Sequence, residues 1–153
     1  MLAHVAGGRS TVRALALNHL GLRRLRRDDV AGAGLLYERA LALAGRGERE
    51  VLGDPAVARA LPDNVRDVWR ALEAWSLINL GNCLIGEHRH AAARDALTRA
   101  LGILRDAGRD RGDLATAAAF NLARLAMQER DLPGAVEWNR RARDTARLET
   151  ASR

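Results

Sequence analysis

The stretch from Trp75 to Leu101, WSLINLGNCLIGEHRHAAARDALTRAL, decides the fold of this chain. Its apolar residues recur every three or four positions on either side of a polar segment that ends at His90. The positions in question are Leu77, Leu80, Leu84, Ala93, Leu97 and Ala100. This spacing is typical of two amphipathic helices joined by a short turn. Because Gly81, Ala93 and Ala100 are small, the two helices are predicted to pack closely as an antiparallel hairpin.

The same spacing recurs twice more along the chain. In the central copy Ala93 follows Leu80 by 13 residues, and the next two positions follow at intervals of 4 and 3. Each copy consists of a Leu, the small residue after it, and three further positions at these intervals. The first copy is Leu20, Gly21, Ala33, Tyr37 and Ala40; the third is Leu122, Ala123, Ala135, Asn139 and Ala142. Three copies in one register predict three consecutive helical hairpins.

This register resembles the tetratricopeptide repeat (TPR), a helical hairpin of about 34 residues. The resemblance implies an all-α fold, a right-handed α-solenoid of three TPR-like hairpins with an insertion between repeats 1 and 2. The hairpins would span about 10–45, 63–107 and 113–148, and the insertion about 46–62, within a single domain. The composition, rich in Arg and without Lys, and the long hairpins are similar to repeats of GC-rich bacterial (actinobacterial-type) regulators.

Local signals set the expected helix ends. Residues 1–9 are expected to be frayed, with Ser10 or Thr11 capping the first helix. The glycines of the segment 45–47 are expected to end the second helix. Asp54 followed by Pro55 predicts a short connector helix in the insertion, in addition to the six main helices.

The resemblance implies that the first helix of each hairpin lines a concave groove that binds an extended or helical peptide. The candidate groove residues are Leu15, Asn18, Leu22, Leu25, Trp75, Ile78, Asn82, Ile85, Phe120, Arg124 and Met127. They are mostly apolar, which favours recognition of an apolar peptide. Asn82 and Arg124 match part of the clamp with which some family members bind a peptide carboxylate. An alternative stays open: the insertion or the long second hairpin fills the groove, which is then core.

Trp75 and Trp69 can likewise belong to the groove or to the core. Trp75 is either a binding anchor in the groove or a core residue that seals the insertion against the hairpins. Trp69 shares a helix face with Val65 and Leu72 and is predicted to be core.

The charge pattern suggests a second class of partner. The net charge is +6, and the densest basic cluster is Arg23, Arg24, Arg26 and Arg27. This cluster could contact nucleic-acid phosphates. It lacks interleaved aromatic residues and ends a predicted helix, where arginines favour the negative end of the helix dipole. A solvated helix end is therefore the preferred interpretation, and nucleic acid is the less favoured partner. A third alternative is a homodimer through the last hairpin, whose outer edge carries Val136 and Trp138.

Nothing in the sequence suggests catalysis. The segment Glu87–His90 has two histidines two positions apart with no third ligand marked elsewhere, so no metal or cofactor is expected. Cys83 lies in an apolar context and is expected to be an inert core residue. A single cysteine and the lack of a long apolar run predict a cytoplasmic protein with no membrane partner. The expected function is a non-catalytic adaptor or regulatory module that binds another protein or peptide.

Overall fold

The computed structural model describes the backbone of residues 2–52, 59, 63–110 and 112–151, and the side chains of 9–49, 59, 66–110 and 112–146. Six α-helices occupy these residues. They are α1 (Leu2–Leu25), α2 (Val30–Leu52), α3 (Asp63–Gly86), α4 (His90–Asp106), α5 (Asp113–Gln128) and α6 (Leu132–Ala151). Consecutive helices pack as three antiparallel pairs, α1 with α2, α3 with α4, and α5 with α6. The prediction of an all-α chain of three sequential hairpins is therefore confirmed.

The chain divides into two compact units, Met1–Ser76 and Leu77–Arg153. The first contains α1, α2 and the first part of α3, and the second contains the rest of α3 with α4, α5 and α6.

The core of the first unit combines small and branched side chains from α1, α2 and α3. Its buried centre is Ala14, Ala40, Ala44 and Leu72, with Leu17, Leu43 and Trp75 packed against it. Trp69 is also buried, and its Nε1 donates a hydrogen bond to Thr11 Oγ1 at 2.6 Å. Because an indole N–H in a core needs an acceptor, this bond explains how Trp69 can be buried there. The prediction that Trp69 is a core residue is confirmed.

The turn inside each hairpin has the same conformation in all three copies. Asp28, His88 and Arg130 each follow the Leu of their repeat by eight residues, and their φ angles are 60°, 57° and 61°. The amide of the next residue donates to the carbonyl oxygen five residues earlier, at 3.1, 2.9 and 2.9 Å. This pattern is that of a left-handed residue terminating a helix in a Schellman motif. The repeat inferred from side-chain spacing is therefore also a repeat of backbone geometry.

The small residues of the repeat allow the two helices of a hairpin to approach each other. The two Ala positions are buried in every copy; they are Ala33, Ala40, Ala93, Ala100, Ala135 and Ala142. A Cβ on Gly21 would lie 2.6 Å from the ring of Tyr37, and a Cβ on Gly81 would lie 2.7 Å from Leu97 Cγ. Real Cβ atoms do not approach other atoms so closely, so the first two hairpins need these glycines.

Three of the expected helix ends are wrong. α1 begins at Leu2 and not near residue 10, so residues 2–9 are helical. α2 continues through Gly45 and Gly47 to Leu52. A glycine inside a helix costs only about 1 kcal/mol relative to Ala, which the packing of a long helix against its neighbour offsets. α6 also extends three residues beyond the predicted end, to Ala151. The predicted connector helix lies outside the described residues except for Arg59.

Candidate functional site

One surface of the second unit combines exposed apolar side chains with a positioned arginine. We call it the α5 surface; it consists of Phe120, Arg124 and Met127 on α5 together with Asn82 on α3. Phe120 is 49% exposed and Met127 is 55% exposed. Spacings of four and three residues place the three α5 side chains on one stripe of the helix.

The opposite face of α5 explains why this stripe is available. That face is made of small and aliphatic residues, all of them buried: Ala115, Ala118, Ala119, Leu122, Ala123, Leu125 and Ala126. These residues already provide the packing surface of α5, so the core does not require Phe120 or Met127. Full burial of such a side chain usually contributes about 1.5–3 kcal/mol, which Phe120 and Met127 realise only in part in this chain.

Arg124 joins α5 to α3 within the same surface. Its Nη2 donates to Asn82 Oδ1 and lies 3.4 Å from the backbone oxygen of Asn82. Among the described residues Arg124 has no carboxylate partner. The guanidinium is therefore held in place by an uncharged partner and keeps N–H donors for a hydrogen-bond acceptor from outside.

Not every predicted groove residue is exposed. Asn18, Ile78 and Ile85 are buried, so the expectation that they present open surface is corrected. Asn18 Nδ2 donates to Ser76 Oγ at 2.8 Å, which gives this polar side chain a structural role in the first unit. Ile78 and Ile85 are buried because α3 is covered around more of its circumference than one stripe.

The other predicted groove residues lie in the first unit and differ in exposure. Leu15 is exposed, whereas Leu22 and Leu25 are half-buried. Trp75 is half-buried and packs on the core of the first unit, with its ring 5.3 Å from that of His19 in an edge-on arrangement. That these residues bind a peptide stays a prediction.

The basic cluster lies at the end of α1. Arg23, Arg24, Arg26 and Arg27 are all exposed. Arg24 pairs with Asp29 at 2.7 Å, across the turn that follows the helix. Arg23 and Arg24 occupy the last turn of α1, where a positive charge favours the helix dipole.

The residues considered as a possible nucleophile or as metal ligands lie outside the α5 surface. Cys83 is buried, and burial together with the nearby Glu87 raises the pKa of its thiol to about 11, so the thiol is protonated at neutral pH. The rings of His88 and His90 are 6.0 Å apart. Among the described residues, no three His, Cys, Asp or Glu side chains are grouped as metal ligands. No helix in the described part of the chain has the length and apolar character that crossing a bilayer requires.

The structure also has a second surface feature that the sequence patterns do not indicate. A groove of about 520 Å³, here called the α4–α6 groove, lies among α4, α5 and α6. Its lining is Thr98, Leu101, Gly102, Arg105, Asp110, Ala115, Ala119, Trp138, Arg141, Asp144 and Thr145. The one signal in the sequence was Gly102, a glycine inside a predicted helix at a position that the repeat does not use.

Comparisons with known protein families, curated proteins and solved structures found no match to this chain.

Proposed function

We propose that this protein is a non-catalytic interaction module of the TPR type and that its α5 surface binds a peptide or helix of another protein. The observation that carries the proposal is the exposure of Phe120 and Met127 on either side of Arg124. Exposed apolar side chains on one stripe of a helix favour a protein-binding surface. Aromatic and arginine side chains also contribute disproportionately to the binding energy of interfaces.

The repeated hairpin geometry supports the TPR assignment. The three copies share the positions of their buried alanines and the left-handed residue of their turns. In the TPR fold the first helix of each hairpin carries the binding side chains, and α5 is the first helix of the third hairpin. The α5 surface is therefore where this fold would present a ligand-binding stripe.

The chemistry of the α5 surface indicates the kind of ligand. Phe120 and Met127 offer apolar area, and Arg124 offers N–H donors between them. A segment with two apolar side chains and a carbonyl or carboxylate oxygen between them satisfies all three residues. Methionine adapts its shape to different apolar partners, which suits recognition of a short segment.

Peptides selected from a random display library test this proposal. The tightest peptide, carrying a fluorophore, would be titrated with the protein and its binding followed by anisotropy. We expect Phe120→Ala and Met127→Ala each to weaken binding by about tenfold or more, the scale of an interface hot spot. Val136→Ala is the matched control, because Val136 is an apolar residue of the same unit that is 66% exposed on α6. The peptide affinity of Val136→Ala should stay within about twofold of that of the unsubstituted protein, as expected of a residue outside the contact. Equal losses in all three variants would rule the α5 surface out.

Self-association through the last hairpin is a second candidate function. It is favoured by Leu132 and Val136, which are exposed apolar residues four positions apart on α6. Light scattering over a concentration series, at low and high salt, measures it. A dimer that Val136→Asp converts to a monomer would establish this interface, whereas a mass that stays monomeric at every concentration would exclude it.

A further inference from the structure

A row of exposed side chains runs along α1, with an arginine at each end and apolar residues between them. We call it the α1 stripe; it consists of Arg9, Val12, Ala16, Leu20 and Arg23. Spacings of three and four residues place the five side chains on one face of the helix. All five are exposed, Val12 by 66% and Leu20 by 46%. The stripe extends over about four helical turns, or about 21 Å.

The same positions are covered in the first helix of the other two hairpins. The register that aligns Leu20 with Leu80 and Leu122 identifies them. In α3 the equivalent residues are buried, apart from the half-buried Leu80; they are Trp69, Leu72, Ser76, Leu80 and Cys83. In α5 the last three equivalents are fully buried; they are Ala118, Leu122 and Leu125. The repeat therefore uses these positions for packing, and they are open only on α1.

Contacts within the first unit show what kind of element packs on these positions. Leu72 belongs to the core that includes Ala14 of α1 and Ala40 of α2. Ser76 Oγ accepts a hydrogen bond from Asn18 Nδ2 at 2.8 Å. The stripe of α3 thus packs on the two helices of the hairpin before it. A helix is therefore the kind of occupant for which the equivalent stripe of α1 is spaced.

The charge of α1 has one sign. The helix contains no Asp or Glu, and its four charged residues are Arg9, Arg13, Arg23 and Arg24. Arg24 pairs with Asp29 at 2.7 Å. Among the described residues the other three arginines pair with no carboxylate. Charge complementarity therefore favours an occupant that carries acidic residues.

The turn that follows α1 does not remove this excess of positive charge. It carries two arginines and two aspartates, which are Arg26, Arg27, Asp28 and Asp29. These charges offset one another, so the unpaired arginines of α1 remain in excess. Two of them, Arg9 and Arg23, stand at the two ends of the apolar part of the stripe.

We propose that the α1 stripe is a docking site for an amphipathic helix of a partner protein, with acidic residues at both ends of its apolar face. The apolar side chains of this helix pack on Val12, Ala16 and Leu20. Its carboxylates accept hydrogen bonds from Arg9 and Arg23, and such charge-assisted bonds can be bidentate. The site goes beyond the proposed function, because none of its residues belongs to the α5 surface or to the predicted groove.

Other occupants fit the α1 stripe less well. A nucleic-acid backbone would set phosphates against the apolar side chains of Val12 and Leu20. A second copy of the chain, packed through the same stripe, would oppose arginine with arginine, because the stripe has Arg9 at one end and Arg23 at the other. An acidic amphipathic helix meets both the apolar centre and the charged ends.

A capped, fluorescein-labelled peptide of sequence EEALAQALAQALAEE tests the proposal. Its three leucines lie four residues apart on one helix face, between acidic ends. We expect saturable binding to the full chain, measured by anisotropy, that weakens with added salt. Circular dichroism should show the peptide gaining helix on binding, because a helix of this length is marginal in water.

Two control peptides separate the contributions of charge and apolar contact. The sequence QQALAQALAQALAQQ lacks the acids, and EEAQAQAQAQAQAEE lacks the leucines. Each should bind at least about tenfold more weakly than the parent peptide, since each loses one of the two contacts. Absence of saturable binding by the parent peptide, or equal binding of all three, would overturn the proposal.

Variants of the protein locate the binding. Arg23→Glu and Val12→Gln should each weaken binding of the parent peptide by about tenfold or more. Arg39→Glu is the matched control for charge, and Leu35→Gln is the control for apolar area; both residues are exposed on α2. Each control should keep the affinity within about threefold. Because all four positions are exposed, the variants should fold, which urea unfolding checks.

Three outcomes would count against the α1 stripe. Equal losses in Arg23→Glu and Arg39→Glu would show that the peptide senses only overall charge. A loss in Phe120→Ala with none in Arg23→Glu would place the peptide on the α5 surface, which would support the proposed function and overturn this site. A dimer that Val12→Gln converts to a monomer would show that a second copy, not a partner helix, occupies the stripe.

Discussion

Gly81 and Gly102 are both helical glycines of the second unit, but their surroundings differ completely. A Cβ at Gly81 would lie 2.7 Å from Leu97 Cγ, whereas a Cβ at Gly102 would have no atom within 4 Å. The side of α4 that faces α3 is tightly packed. The side that carries Gly102 borders the open α4–α6 groove. The same residue type thus indicates close helix packing at one position and free surface at the other. Mutations at the two sides of α4 should differ in the size and the sign of their effects.

The largest effect should come from Leu97→Ala. Leu97 is fully buried and fills the space over Gly81. Removing a buried Leu side chain costs about 2–5 kcal/mol, because a cavity remains. Urea unfolding measures the loss, with Leu101→Ala as the matched control at a half-buried position on the groove side. Equal losses in the two variants would contradict the contrast between the two sides.

The next effect should come from Gly81→Ala. The added methyl group collides with Leu97, and overpacking of this kind costs about 1–3 kcal/mol of unfolding free energy. In a Leu97→Ala background the methyl group has room, so the loss should shrink and the two changes should couple by at least about 0.5 kcal/mol. Strict additivity would mean that Gly81 and Leu97 are not in contact.

A smaller effect of opposite sign should come from Gly102→Ala. The methyl group meets nothing, and Ala favours a helix over Gly by about 0.5–1 kcal/mol. The unfolding free energy should therefore rise. The matched comparison is Gly45→Ala, a second helical glycine, where the added Cβ would lie 3.4 Å from the Arg49 side chain and not in open space. Destabilisation by Gly102→Ala would mean that the groove floor is more crowded than the structure indicates.

The smallest effect should come from Glu137→Gln on α6. A hydrogen bond from Arg140 lowers the pKa of the Glu137 carboxyl, so the charged form is favoured in the folded state. The stability that the charged Glu137 side chain contributes is therefore fully present above the usual pKa of Glu. It is lost as the pH falls through the lowered pKa of the folded state. Both groups are exposed, and the variant should differ from the original protein only slightly at pH 7 and not at all at low pH. A difference that grows on acidification would contradict this assignment.

The hairpins could be predicted from the sequence because the repeat combines two independent signals. The intervals from Leu80 to Ala93 and onward recur three times, and each copy has a polar turn at the same place. Asp29 and Asp131 accept hydrogen bonds from Gly32 and Gly134 at 2.9 Å, as expected of residues that begin a helix. Such interactions between residues close in sequence can be predicted from the sequence alone.

The surfaces were harder to predict, because exposure depends on neighbours distant in sequence. Phe120 and Met127 are exposed as expected for the predicted stripe, but Ile78 and Ile85, which have the same spacing on α3, are buried. The prediction of an exposed stripe assumes that neighbouring helices cover a helix on one face only, whereas α3 is covered on more than one face. The α4–α6 groove needs three helices to exist, so no local pattern could reveal it.

The most direct test of the α5 surface as a binding site is to map where a selected peptide binds. Titrating it into ¹⁵N-labelled protein and following the amide signals reports every contacted region at once. We expect the largest shifts between Phe120 and Met127 on α5 and around Asn82 on α3, with the signal of Val136 on α6 unaffected. Shifts confined to α6, or to the first unit, would contradict the claim that the α5 surface is the binding site.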